Sequence, residues 1–169
     1  IVSFSPIEFN GSKQNEIYVY SSDSTGMGIH IIQKNTTSTV SYLNYSNQNN
    51  LSIIANNYIW SLPSAFSVYG GVINIDNSQF KNLSSEDAIN LFRCEYTLKK
   101  SVLENTFSDA FDADFSVGHI EYCNFINCGN DAVDISGRSL SLNNSIFSYI
   151  KDKAISAGEE SEMKINNCE

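Results

Sequence analysis

Alanine recurs at Ala65, Ala88, Ala110, Ala132 and Ala154, at steps of 23, 22, 22 and 22 residues. Five segments align around it: "PSAFSVYG" from Pro63, "EDAINLFR" from Glu86, "SDAFDADF" from Ser108, "NDAVDISG" from Asn130 and "DKAISAGE" from Asp152. The next column reads Phe66, Ile89, Phe111, Val133, Ile155. Two residues further it reads Val68, Leu91, Ala113, Ile135, Ala157. Between them lies a polar column: Ser67, Asn90, Asp112, Asp134, Ser156. This is strand alternation, one face apolar and the other wet. A fixed period of this length is the signature of a repeat architecture.

A second strand keeps the same step. Ile75, Leu98, Ile120, Leu142 and Ile165 form one apolar column, and Ile73, Tyr96, Gly118, Leu140 and Met163 another. Small residues follow at Ser78, Ser101, Cys123, Ser145 and Cys168, and then Phe80, Leu103, Phe125 and Phe147. At roughly 3.3 Å per strand residue, such a unit has contour for one coil of three short strands and their turns. The expected fold is all-β: a right-handed parallel β-helix, a solenoid with about 22-residue coils stacked about 4.8 Å apart. A leucine-rich solenoid needs a helical side, and no segment carries a 3.6-residue apolar stripe. An antiparallel sandwich would not hold one period in both strands.

A chain of 169 residues suits a single domain. Residues 63–169 carry the regular coils; residues 1–62 are expected to form irregular N-terminal rungs and an inserted loop. "EIYVYSS", "GIHIIQK" and "STVSYLNYSN" read as strands from their β-branched and aromatic content. Val40 to Tyr45 repeats the second-strand pattern more than one period before "INIDNSQF". A loop is therefore inserted around Asn47 to Pro63, carrying Tyr58 and Trp60. The early rungs are expected to include a partial cap. The sequence opens and stops mid-pattern, which points to a segment of a longer protein with flanking domains.

Hydrophobic residues at 41% and aromatics at 12% argue against disorder. The net charge of -9 disfavours nucleic acid and anionic membrane, which need a basic face. No stretch reaches transmembrane length. The acidic balance suits cations, neutral glycans or plain solubility, and with charged residues at only 17% the polar surface is largely Asn, Ser and Thr.

Asp112, Asp114 and Asp134 are expected to point outward. Stacked like charges repel, and a bound cation or a raised pKa would relieve them. Calcium takes carboxylate oxygens in flexible geometry and suits such a cluster; the competing reading is an ordinary solvated ledge. Asn90, Asp112 and Asp134, edged by Tyr69 and Phe92, form a candidate ligand-binding strip for an extended sugar chain. By parity the alanine column is expected on this same outward face, or else in a tight corner. Lys153, next to the acidic columns, is the candidate base for β-elimination of a uronate, a reaction that also needs a cation. Cys94, Cys123, Cys128 and Cys168 are expected to be free thiols, with no pair close enough to bridge. His30 and His119 read as surface or edge residues.

The pattern "IEYCNFINCGNDAVDISG" resembles the coils of the right-handed β-helix, pectate-lyase-like superfamily. The run from "SEDAIN" to "DKAISAGE" is also similar to β-helix segments beside CotH-type domains in secreted bacterial proteins. The resemblance implies a secreted or cell-surface module. "FSDAFDA" followed by "GNDAVDI" further resembles the polygalacturonase pattern of two aspartate-bearing strands in successive coils. On that likeness Asp109 and Asp131 would be the acid and base carboxylates of glycoside hydrolysis. The later Gly-His-Gly and Arg-x-Lys elements of that family are absent; the matching coil reads "KDKAISAGE". The expected function is a non-catalytic extracellular module for carbohydrate binding or structural spacing. The alternative is a calcium-assisted polysaccharide lyase or a diverged glycoside hydrolase.

Overall fold

The computed structural model describes all residues except Asn56 and Asn57, with side chains described outside residues 53–60. The chain winds into a right-handed parallel β-solenoid with three sheets along its length. The first sheet contains Val2–Ser3, Ile29–Ile32, Ser64–Tyr69, Asp87–Phe92, Asp109–Asp114, Val133–Ser136 and Ile155–Ala157. The second contains Glu8–Asn10, Thr37–Ser41, Val72–Asp76, Glu95–Lys99, Val117–Glu121, Ser139–Asn143 and Glu162–Asn166. The third contains Ile17–Tyr20, Leu43–Ser46, Gln79–Leu83, Val102–Thr106, Asn124–Cys128 and Ile146–Ser148.

The repeat columns are the pairing register. Ser67, Asn90, Asp112, Asp134 and Ser156 pair in succession across the first sheet. Ile75, Leu98, Ile120, Leu142 and Ile165 do so across the second. Val40 pairs with Ile75, and Tyr45 with Phe80, as the earlier copy of the pattern requires. Between them the insertion forms an antiparallel hairpin of Leu51–Ala55 and Tyr58–Leu62. The side chains of Tyr58 and Trp60 lie outside the described residues. Val2–Ser3, Glu8–Asn10 and Ile17–Tyr20 are edge strands of the three sheets.

Inward residues from all three sheets fill one continuous core, including Phe66, Ile89, Phe111, Ile75, Leu98, Phe80 and Leu103. Phe125 and Phe147 stack in register, with ring centroids 5.0 Å apart and planes 5° apart. Burying side chains of this size is the main stabilising term, about 1.5–3 kcal/mol each. The corners between sheets come from left-handed backbone repeated in columns: Gly70, Arg93, Phe115 and Gly137 at the first, and Asn77, Lys100, Tyr122 and Asn144 at the second. Asn82, Asn105 and Asn127 form a third such column, their side-chain amides donating one to the next at 3.1 and 2.8 Å. Asparagine tolerates this conformation better than other non-glycine residues, which accounts for its abundance here.

Four of the five column alanines differ from their expected outward placement, and Ala154 is exposed. Ala65, Ala88, Ala110 and Ala132 are fully buried in the core. In Asp109–Asp114 both Ala110 and Phe111 are buried before alternation begins. Strict parity fails there because the strand starts on a bend, so two consecutive Cβ atoms turn inward. A corner of this tightness has room for a methyl group, the second reading of the sequence.

Candidate functional site

The outward column of the first sheet is His30, Ser67, Asn90, Asp112, Asp134 and Ser156. It is graded in burial. His30 and Ser67 are wholly buried and Asn90 is nearly so, while Asp112 and Asp134 are half-buried. His30 is therefore not the surface residue its isolation in the sequence implied. Its Nε2 lies 2.8 Å from the Met27 carbonyl, which can only accept, so that nitrogen carries the proton. Nδ1 then accepts from the Ser67 hydroxyl at 2.8 Å. Burial holds the imidazole pKa below its usual value. Sealed from solvent, this serine–histidine pair is a strut and not a nucleophile.

Asn90 organises the middle of the strip. Its amide donates to Asp112 Oδ2 at 2.8 Å and to Asp87 Oδ2 at 3.3 Å. Burial pushes the Asp87 carboxyl up to about 7, with the Asp109 and Glu86 charges adding to it. Burial likewise pushes Asp112 up to about 8, helped by Asp87, Asp114 and Asp134. Asp134 is raised as well, mainly by burial. Raised this far, Asp112 takes up a proton more readily than an ordinary aspartate, and in that form it donates a hydrogen bond as well as accepting one. Asp114 accepts from the Ser136 hydroxyl one coil on. Tyr69 and Phe92 are in register at the strip's edge, with ring centroids 6.0 Å apart. Among the described residues, no three His, Cys, Asp or Glu side chains converge as a metal shell.

Asp109, Asp131 and Lys153 occupy a neighbouring column at the strand starts. Asp109 Oδ1 accepts from the Asn130 amide at 2.7 Å and the Asp131 N–H at 2.8 Å. Asp131 Oδ1 accepts the Lys153 N–H at 2.9 Å and its ammonium at 3.3 Å. Each aspartate therefore ties its own coil to the next. The Lys153 ammonium also contacts Asp152, and these two carboxylates, Asp152 first, hold its pKa above the usual value. A base for proton abstraction must be uncharged, so this pairing works against that role.

Asp87 belongs to the same column as Asp109, its register partner, and the sequence reading missed it. The signal was present in "SEDAIN", where Asp87 precedes Ala88 as Asp109 precedes Ala110. The four cysteines are free, three of them buried; burial pushes the Cys94, Cys123 and Cys128 thiols up to about 11. They pack as small apolar groups rather than reactive thiols.

No protein-family model and no curated protein matches this sequence. The fold is similar to the crystal structure of a "putative glycosyl hydrolase" from Parabacteroides merdae. The TM-score is 0.51 at 10% identity, over 84% of this chain and 82% of that one. At that identity the likeness is one of fold.

Proposed function

We propose that this chain is a carbohydrate-binding β-helix module of a secreted or cell-surface protein, with a polysaccharide lying on the outer face of the first sheet. The supporting observation is the Asn90 amide holding Asp87 and Asp112 beside the Tyr69 and Phe92 rings. The rings offer a flat surface for the apolar face of a sugar. Asp112 and its neighbours Asn90 and Asp134 offer donors and acceptors for hydroxyl groups. A few placed polar groups beside apolar surface are the usual make-up of a ligand site. The test is affinity electrophoresis on a panel of neutral polysaccharides. Wild type is expected to be retarded by at least one, and Tyr69→Ala and Asp112→Ala to migrate freely. Free migration of wild type through every polymer would overturn the reading.

The elevated Asp112 pKa supports a second reading, glycoside hydrolysis. Asp112 would be the general acid protonating the departing oxygen, and Asp134, its register neighbour, the second carboxylate. Release of reducing ends from a bound polymer, abolished in Asp112→Asn, would favour catalysis over binding alone. The fold similarity to a protein described as a glycosyl hydrolase agrees with either reading.

A further inference from the structure

The chain contains two arginines, Arg93 and Arg138, and both line one groove. This groove, about 490 Å³, lies at the corner between the first and second sheets. Its wall also includes Phe115, Val117, Glu95 and Asn35. Arg93 and Phe115 hold successive places in the first left-handed corner column, and Arg138 directly follows Gly137 of that column. The coil repeat thus brings residues 45 positions apart to one surface.

Three observations give this groove a chemistry. The first is charge. The chain carries 19 Asp and Glu residues, yet among the described residues neither arginine has a carboxylate partner. The ion pairs in the structure use Lys81, Lys99 and Lys153 instead. The second is pre-organisation. The Arg93 guanidinium lies 5.0 Å from the Phe92 ring centroid and 6.0 Å from that of Phe115, which fixes its plane without neutralising it. The third is conformational. Gly70 and Gly137 take the left-handed position at no steric cost, whereas Arg93 and Phe115 take it at roughly 1 kcal/mol or more each. At this corner the coils before and after carry glycine, so Arg93 and Phe115 project from a column otherwise without side chains.

We propose that this corner groove binds an anionic saccharide, its carboxylate or sulfate ester taken by Arg93 and Arg138 and its apolar sugar face resting on Phe115. Guanidinium groups match both anions through paired N–H donors, and a ring platform selects a sugar over a bare ion. Phe115 is 49% exposed, so the platform is open to a ligand. The inference rests on residues other than those that carry the neutral-polymer strip, and the two surfaces adjoin at Phe92, whose ring lies under the Arg93 guanidinium and 5.7 Å from that of Phe115.

The test is titration calorimetry on the full chain with four probes: a uronic-acid oligosaccharide, a sulfated oligosaccharide, a neutral oligosaccharide of equal length, and inorganic sulfate. At least one of the two anionic oligosaccharides is expected to bind, and which one binds identifies the anion. Affinity should fall at least about 10-fold in Arg138→Ala and in Arg93→Ala, the loss expected for one charge-assisted contact. Phe115→Ala should weaken the oligosaccharide and leave any binding of inorganic sulfate unchanged. Arg138→Lys should retain part of the affinity, which separates charge from a folding defect, and the melting temperature of each variant controls for folding. Absence of binding by both anionic oligosaccharides would overturn the proposal. So would equal binding of the neutral one, equal affinity for inorganic sulfate, or indifference to the arginine substitutions.

Discussion

Asn90 donates its amide to Asp112 Oδ2 at 2.8 Å across adjacent coils and reaches Asp87 Oδ2 with the same group. One neutral side chain thereby stands between two carboxyls whose pKa values are pushed up to about 7 and about 8. In the unfolded chain both would ionise near about 4. Between about pH 4 and 8 the folded state therefore binds more protons than the unfolded state, and stability falls as pH rises. The contribution is full below about pH 4 and is lost as pH climbs through 7 and 8. Asp112→Asn keeps an acceptor for Asn90 and carries no charge. It is expected to flatten the decline and to stabilise the protein at pH 8 by roughly 1–2 kcal/mol. Thermal unfolding followed by circular dichroism at pH 5, 6, 7 and 8 measures this; an unaltered slope in the variant would contradict it.

Asp131 carries its column through the backbone. Its carboxylate, 4% exposed, accepts the Lys153 N–H. Asp131→Ala leaves that donor without its partner and is expected to cost about 1–3 kcal/mol. Asp131→Asn retains an acceptor oxygen and should lose much less. Lys153→Met removes a largely exposed ion pair and should change stability far less than Asp131→Ala. Urea unfolding of the three variants reads out the order. A loss in Lys153→Met equal to that in Asp131→Ala would show that the side-chain pair, not the backbone contact, is what matters.

Tyr96 lies against Gly118, its partner one coil on. A Cβ at Gly118 would sit 2.2 Å from Tyr96 Cε2, inside any real contact. Gly118→Ala is expected to cost about 1–3 kcal/mol by overpacking. The Tyr96 hydroxyl is buried and has no hydrogen-bond partner among the described residues. Tyr96→Phe is therefore expected to stabilise the protein by roughly 1 kcal/mol, since it removes an unsatisfied polar group. In a Tyr96→Leu background Gly118→Ala should cost less than it does alone, because the opposing ring is gone. Calorimetric melting of the single and double variants tests both statements; a destabilised Tyr96→Phe would mean the hydroxyl has a partner.

The solenoid was legible because its stability is repetitive. Each coil buries the same columns against its neighbours, so Ile89, Phe111 and Val133 must recur in step or the core would open. The polar row Asn90, Asp112 and Asp134 was legible for the same reason, as the other parity of the same strands. Asp87 and the two arginines were not singled out, although Asp87 shares its column with Asp109. Their significance depends on which side chains face them from other coils, and a one-dimensional period carries register without side-chain reach.

The amino-acid sequence alone determined the register, because a strand period of two and a coil period of 22 leave few ways to bury the apolar columns. Tertiary structure alone decided depth and direction. It turned Ala65, Ala88, Ala110 and Ala132 inward at the strand starts, sealed His30 and Ser67 from water, and drew Asp112 into surroundings that raise its pKa. Solvation is a property of everything packed around a side chain, and that neighbourhood is assembled from several coils at once.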